Sequence, residues 1–138
     1  MSASAGDLFF CPKFTFKDRK IGKKFLVLLN TPEIDDPYIF CRTTSQQKTK
    51  HLKEYCQPEW KLFLLLANKD FFPLNTWLQL YELYAFTLEE FLELHTKKNL
   101  KWVGRLQDLT VRQIKNCVKQ CKEDIKKYYL SFILKKKK

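Results

Sequence analysis

Along the first 85 positions the apolar residues come in short runs divided by polar turn residues, with no helical period. The runs are Asp7–Pro12 (DLFFCP), Phe25–Leu29 (FLVLL), Tyr38–Arg42 (YIFCR), Trp60–Leu66 (WKLFLLL) and Trp77–Tyr81 (WLQLY). Such runs, rich in aromatic and aliphatic residues and bounded by Asn, Asp, Pro and Gly, are strand signals. They predict strands over 7–12, 25–29, 38–43, 61–66 and 76–81. Asn30-Thr31-Pro32 and Asp35-Asp36-Pro37 punctuate the second connection, and Asn68-Lys69-Asp70 the fourth. Lys13–Lys24 reads as a basic loop and Thr43–Pro58 as a polar one.

The period then changes. Thr87-Leu88-Glu89-Glu90 is a capping-box signature and starts a short helix over 88–97. Residues 100–104 (LKWVG) suit one more strand. Thr110 with Gln113 forms a second capping signal. After it, Val111, Ile114, Val118, Cys121, Ile125, Tyr128 and Phe132 recur at steps of three and four. That stripe predicts one long helix over 110–132. The fold class is therefore mainly β with α: a small antiparallel barrel of closely spaced strands, a short helix and a long C-terminal helix. We expect one domain over 1–134 and a frayed basic tail, Lys135–Lys138.

Composition sharpens this picture at one point, the distribution of charge. The 138 residues carry a net charge of +11. Residues 97–138 hold 14 basic and 3 acidic side chains, whereas residues 51–96 hold 3 and 7. A basic excess gathered in one segment attracts phosphate-rich or acidic partners. The apolar content of 45%, with 12 Phe and only 3 Gly, excludes a disordered or low-complexity chain. The start MSASAGD has neither a basic n-region nor an apolar h-region, and no apolar run approaches a membrane span. We expect a cytoplasmic protein without membrane partners.

The 5 Cys are Cys11, Cys41, Cys56, Cys117 and Cys121. No CxxC occurs, and the spacing of Cys41, His51 and Cys56 matches no common zinc pattern. Cys117 and Cys121 stand i, i+4 but are too few for a closed zinc site. We expect no metal, no cofactor and no disulfide. Neither His sits in a nucleophile motif, and GxSxG, HExxH, P-loop and GxGxxG patterns are absent. Glu89, Glu90 and Glu93 read as a solvated helix face. What remains is a basic loop, Lys17-Asp18-Arg19-Lys20-Ile21-Gly22-Lys23-Lys24, and a hydroxyl cluster ending the next strand but one, Thr43-Thr44-Ser45-Gln46. Cations and hydroxyls brought together hold a phosphoryl group.

Three short motifs in sequence carry a resemblance. They are Gly6-Asp7-Leu8, then Gly22-Lys23-Lys24-Phe25 before Leu26-Val27-Leu28-Leu29, then Cys41-Arg42-Thr43-Thr44-Ser45-Gln46. In order and spacing residues 6–46 resemble the PemK/MazF family of toxin-type endoribonucleases, and the likeness continues weakly to Trp77 and Thr110. Lys24 stands where the family has Arg, Phe25 where it has Pro, and Thr76 where some members have an acidic residue. The resemblance implies an SH3-like barrel, a homodimer and an acidic antitoxin. It also implies metal-independent cleavage of single-stranded RNA by attack of a 2′-hydroxyl on the adjacent phosphorus. Lys24 and Thr43 would be the catalytic pair, with Arg19, Lys20, Lys23, Arg42, Thr44 and Gln46 binding RNA. Two other readings stand beside it: a non-catalytic RNA- or protein-binding module on the same barrel, and a regulatory protein whose basic helix docks an acidic partner.

Overall fold

The computed structural model describes residues 3–15, 21–46 and 55–135. Its strands are β1 (Asp7–Thr15), β2 (Ile21–Leu28), β3 (Tyr38–Thr44), β4 (Tyr55–Gln57), β5 (Leu62–Leu65), β6 (Thr76–Phe86) and β7 (Lys101–Arg105). Its helices are α1 (Leu88–Thr96), α2 (Asp108–Gln120) and α3 (Lys127–Ile133). The strands form one antiparallel sheet in the order β4-β5-β6-β3-β2-β1-β7. The mainly β class with added helices is observed. The expected barrel is not: among the described residues no ladder joins β4 to β7, so the sheet stays open.

The strands run further than their apolar cores. β1 continues through Pro12, where its register against β2 shifts between Cys11 and Phe14. Pro12 has no N–H to give, and a bulge is where a sheet tolerates that. Beyond the bulge Phe14 faces Gly22 and Thr15 faces Ile21, so the polar half of β2, read as loop, is held in the ladder. At the other end of β2, the buried Asn30 clamps the turn: its Nδ2 donates to the Pro37 carbonyl at 2.9 Å, and its Oδ1 accepts from Ile39 N at 2.9 Å.

Alternation along the strands divides the core in two. Leu8, Val27, Cys41, Leu78 and Leu80 face α2 and α3 and meet Ile114, Val118, Ile125 and Ile133. Phe9, Cys11, Leu26, Leu28 and Phe40 face the other way and meet Phe91 of α1. Phe91 stacks on Tyr38 with ring centroids 4.3 Å apart and meets Phe9 edge-on at 5.5 Å. The capping box that starts α1 is present: Thr87 Oγ1 accepts from Glu90 N at 3.1 Å, and Thr87 N donates to Glu90 Oε1 at 2.9 Å.

The long C-terminal helix is replaced by two. α2 stops at Cys121, a 3₁₀ turn spans Lys122–Asp124, and Ile125 is extended at φ −113° before α3 begins. That extended residue resets the helical phase. Tyr128, on the expected stripe, is 56% exposed, whereas Ile133, off it, is fully buried. Nor does Thr110 cap α2. The helix begins earlier, and Asp70 from the β5–β6 connection serves its first turn: Asp70 Oδ2 accepts from Gln107 N at 3.2 Å and from Thr110 Oγ1 at 2.8 Å.

The expectation of free thiols is also corrected. Cys56 of β4 and Cys117 of α2 form a disulfide, while Cys11, Cys41 and Cys121 are free and buried.

Gly6 joins these layers. At φ +95° it lies where side-chain-bearing residues rarely sit, and a Cβ there would come within 2.5 Å of Val111 Cγ2. Its N–H donates to the Leu28 carbonyl at 2.7 Å and its carbonyl accepts from Leu106 N at 2.9 Å. Gly6→Ala is therefore expected to lower stability by roughly 2–3 kcal/mol, through backbone strain and displacement of Val111. Chemical denaturation measures it, and a midpoint equal to that of the native protein would refute this role.

Candidate functional site

The ends of β2 and β3 and the β5–β6 connection surround a cleft of about 240 Å³ lined by Lys23, Lys24, Phe25, Thr43, Thr44, Ser45, Phe72, Pro73, Leu74 and Thr76. Antiparallel pairing puts Leu26 opposite Arg42 and Val27 opposite Cys41. Carried on along both strands, that register brings the basic end of β2 beside the hydroxyl end of β3. Two stretches 20 residues apart in sequence, Lys23–Phe25 and Thr43–Ser45, thus line one cleft.

The same register separates the expected catalytic pair. Both residues border the cleft, but alternation gives them opposite faces of the sheet. Lys24 follows the parity of Leu26 and Leu28, the α1 side. Thr43 follows Cys41, the α2–α3 side, as do Phe25 and Lys23. Thr43 is buried, and its Oγ1 donates to the Phe25 carbonyl at 2.7 Å, so its proton is used inside the sheet. Thr44 shares the parity of Lys24. Its Oγ1 accepts from Gln46 N at 3.1 Å, which leaves its own proton to donate. Thr44 is thus the hydroxyl better placed to act with Lys24.

On that α1-side face Lys24 joins a charged group. Arg42 Nη1 and Glu82 Oε2 form an ion pair at 2.5 Å, both side chains largely buried. Arg42, expected to bind RNA, thus has its charge matched within the fold. Partial burial pulls the Lys24 ammonium below the usual lysine range. The Arg42 charge lowers it further, and Glu82 acts in the opposite direction. Nearby, desolvation first and then Glu82 push the Tyr84 phenol up to about 12. Lys23 is exposed beside the cleft and Gln46 is exposed beyond it. Arg19 and Lys20 lie outside the described residues.

The sequence reading missed the apolar wall. Phe71, Phe72, Pro73 and Leu74 fall between the predicted strands 61–66 and 76–81, yet Phe25 meets Phe72 edge-on at 5.6 Å and Phe71 at 6.0 Å. Leu74 is 62% exposed and Phe71 37%. The available signal was local: two Phe and a Leu flanking a Pro inside a polar connection have no strand or helix to bury them. The same connection carries Asp70, so the wall of the cleft is fastened to the start of α2.

Among the described residues no group of three or more His, Cys, Asp or Glu is placed to hold a metal ion, and no helix is long and apolar enough to cross a membrane. Among the described residues no carboxylate or imidazole lines the cleft. No family model matches the chain, and no curated protein matches it in sequence.

Proposed function

We propose that this chain takes single-stranded RNA into the cleft at the ends of β2 and β3 and acts there as a toxin-like, metal-independent endoribonuclease. The observation behind this reading is the meeting of Lys23 and Lys24 with Thr43, Thr44 and Ser45 beside an aromatic wall. Ammonium groups and hydroxyls suit a phosphodiester, while Phe25, Phe72 and Leu74 suit an unpaired base, whose flat face stacks on aromatic rings. In the reaction the 2′-hydroxyl gives its proton to solvent water as its oxygen bonds to phosphorus, the bond to the 5′-oxygen breaks, and that oxygen takes a proton from water, so that a cyclic phosphate and a 5′-hydroxyl result. Lys24 would neutralise the phosphorane and Thr44 would donate to it. A cytoplasmic location, a homodimer and an acidic antitoxin belong to this reading, the last because an acidic segment competes for the same lysines.

A second reading, a non-catalytic RNA-binding module, is favoured by the opposite faces of Lys24 and Thr43 and by a cleft lining that, among the described residues, holds cations and hydroxyls without a carboxylate or imidazole. One experiment serves both. Single-stranded RNA is incubated with the protein in chelator, and binding and cleavage are followed across ionic strength. Each phosphate neutralised contributes about −0.7 to the slope of log affinity against log salt, so binding is expected to weaken steeply. Affinity unchanged between low and moderate salt would reject the electrostatic basis of both readings.

A further inference from the structure

We infer that the solvent face of α2 is a second RNA contact, a cationic track that continues the path of a strand leaving the cleft; this rests on the RNA-binding reading above. α2 is strongly two-sided. Thr110, Ile114, Cys117 and Val118 are buried against the sheet. Arg112, Lys115 and Lys119 recur at steps of three and four on the opposite side, with Arg112 and Lys119 exposed and Lys115 half-buried. At about 1.5 Å rise per residue the track is roughly 10 Å long. The only acidic residue of α2 is Asp108, in its first turn. Lys122, just beyond the helix, is exposed as well.

Position joins the track to the cleft. Phe72, Pro73 and Leu74 line the cleft, and Asp70, two residues earlier, binds Gln107 N and Thr110 Oγ1 at the start of α2. The Lys69 carbonyl also accepts from Gln107 Nε2 at 3.4 Å. The apolar wall is thus fastened to the start of α2, and Arg112 follows in the same part of that helix on its outward side. Asp70 does not oppose an RNA strand there as a bare anion would, because its carboxylate accepts the hydrogen bonds of the helix start. The track carries no aromatic residue, so it holds the backbone and reads no base.

The test uses the full chain with Arg112→Gln, Lys115→Gln and Lys119→Gln combined. Arg112 and Lys119 are exposed and Lys115 is half-buried, so circular dichroism with a denaturation midpoint checks the fold. The probes are a single-stranded RNA dinucleotide, short enough to be held by the cleft alone, and a 20-mer of the same base. The variant is expected to bind the dinucleotide as the native protein does. Its affinity for the 20-mer at low ionic strength is expected to fall on the order of tenfold to a hundredfold, and the salt slope by about 2, for three lost phosphate contacts. Equal affinity of native and variant protein for the 20-mer overturns the track and leaves the cleft reading standing. Equal loss on both oligomers overturns it too, since the effect is then not one of length. Should the native protein bind neither oligomer, the RNA reading fails and takes the track with it. Anionic vesicles are the control: binding to vesicles that the variant loses, with 20-mer binding intact, assigns this face to lipid and overturns the proposal.

Discussion

Removing the Cys56–Cys117 disulfide is expected to lower stability by about 4 kcal/mol, the largest effect of any single change away from the cleft. The pair joins residues 61 apart in sequence, so in the unfolded chain it closes a long loop, and opening that loop restores conformational freedom. In the folded chain it fastens β4, three residues long and at the edge of the sheet, to the last turn of α2. The only strand that pairs with β4 among the described residues is β5, and Tyr55 packs against Phe63 of that strand. Cys117→Ser and Cys56→Ser should each lower the denaturation midpoint as much as the double variant does. Two single losses that summed in the double variant would mean that the cysteines act separately. Alkylation in denaturant gives a direct count: three thiols should react before reduction, Cys11, Cys41 and Cys121, and five after it. Five reactive thiols in the unreduced protein would show the pair open.

That disulfide also marks what kind of information the sequence carries openly. Reading cysteines by their spacing finds partners that are neighbours along the chain. Cys117 and Cys121 were the obvious neighbours, yet Cys117 bonds to a residue that only the packing of α2 over β4 brings near. Helix starts divide the same way. At Thr87 the cap and its reciprocal Glu90 lie three residues apart, so the pattern is local and is read correctly. At α2 the hydrogen-bond acceptor is Asp70, 37 residues before Gln107, and no window along the chain could include it. The apolar stripe over 111–132 passes smoothly through Ile125 because neither Gly nor Pro interrupts it. The break there depends on Ile125 and Ile133 both reaching the core, which is a property of the packed state.

The cleft shows a finer version of the same limit. The basic end of β2 and the hydroxyl end of β3 were legible as chemistry, and their pairing follows from two short strands joined by a turn. The face each side chain takes was not, because it depends on the register that sets Leu26 against Arg42. A slip of one residue would exchange Thr43 for Thr44. The apolar wall was harder still. Phe72 and Leu74 reach the cleft on a connection held by contacts distant in sequence, Asp70 to the start of α2 and Phe72 to Phe25.

Lys24→Ala is expected to lower the rate of single-stranded RNA cleavage in chelator by roughly 10²–10³, the usual effect of removing one donor from a preorganised site that stabilises developing charge. Because Lys24 and Thr44 share a face, Thr44→Ala should slow cleavage strongly as well. Thr43→Ala should chiefly lower stability, since its hydroxyl is spent on the Phe25 carbonyl. The pH dependence follows from the direction of the Lys24 shift. Burial makes its ammonium lose its proton at a lower pH than an ordinary lysine, so the activity that needs the cation is full at lower pH and falls as pH rises through that depressed value. Lys24→Arg keeps the charge at all working pH and adds a two-pronged donor. It should preserve or raise the rate and carry the activity further into the alkaline range. A native alkaline limb that Lys24→Arg leaves in place would assign the titration to another group. If the native protein and Lys24→Arg both bind single-stranded RNA and neither cleaves it, the endoribonuclease reading fails. The cleft is then the binding site of a module that does no chemistry on the strand it holds.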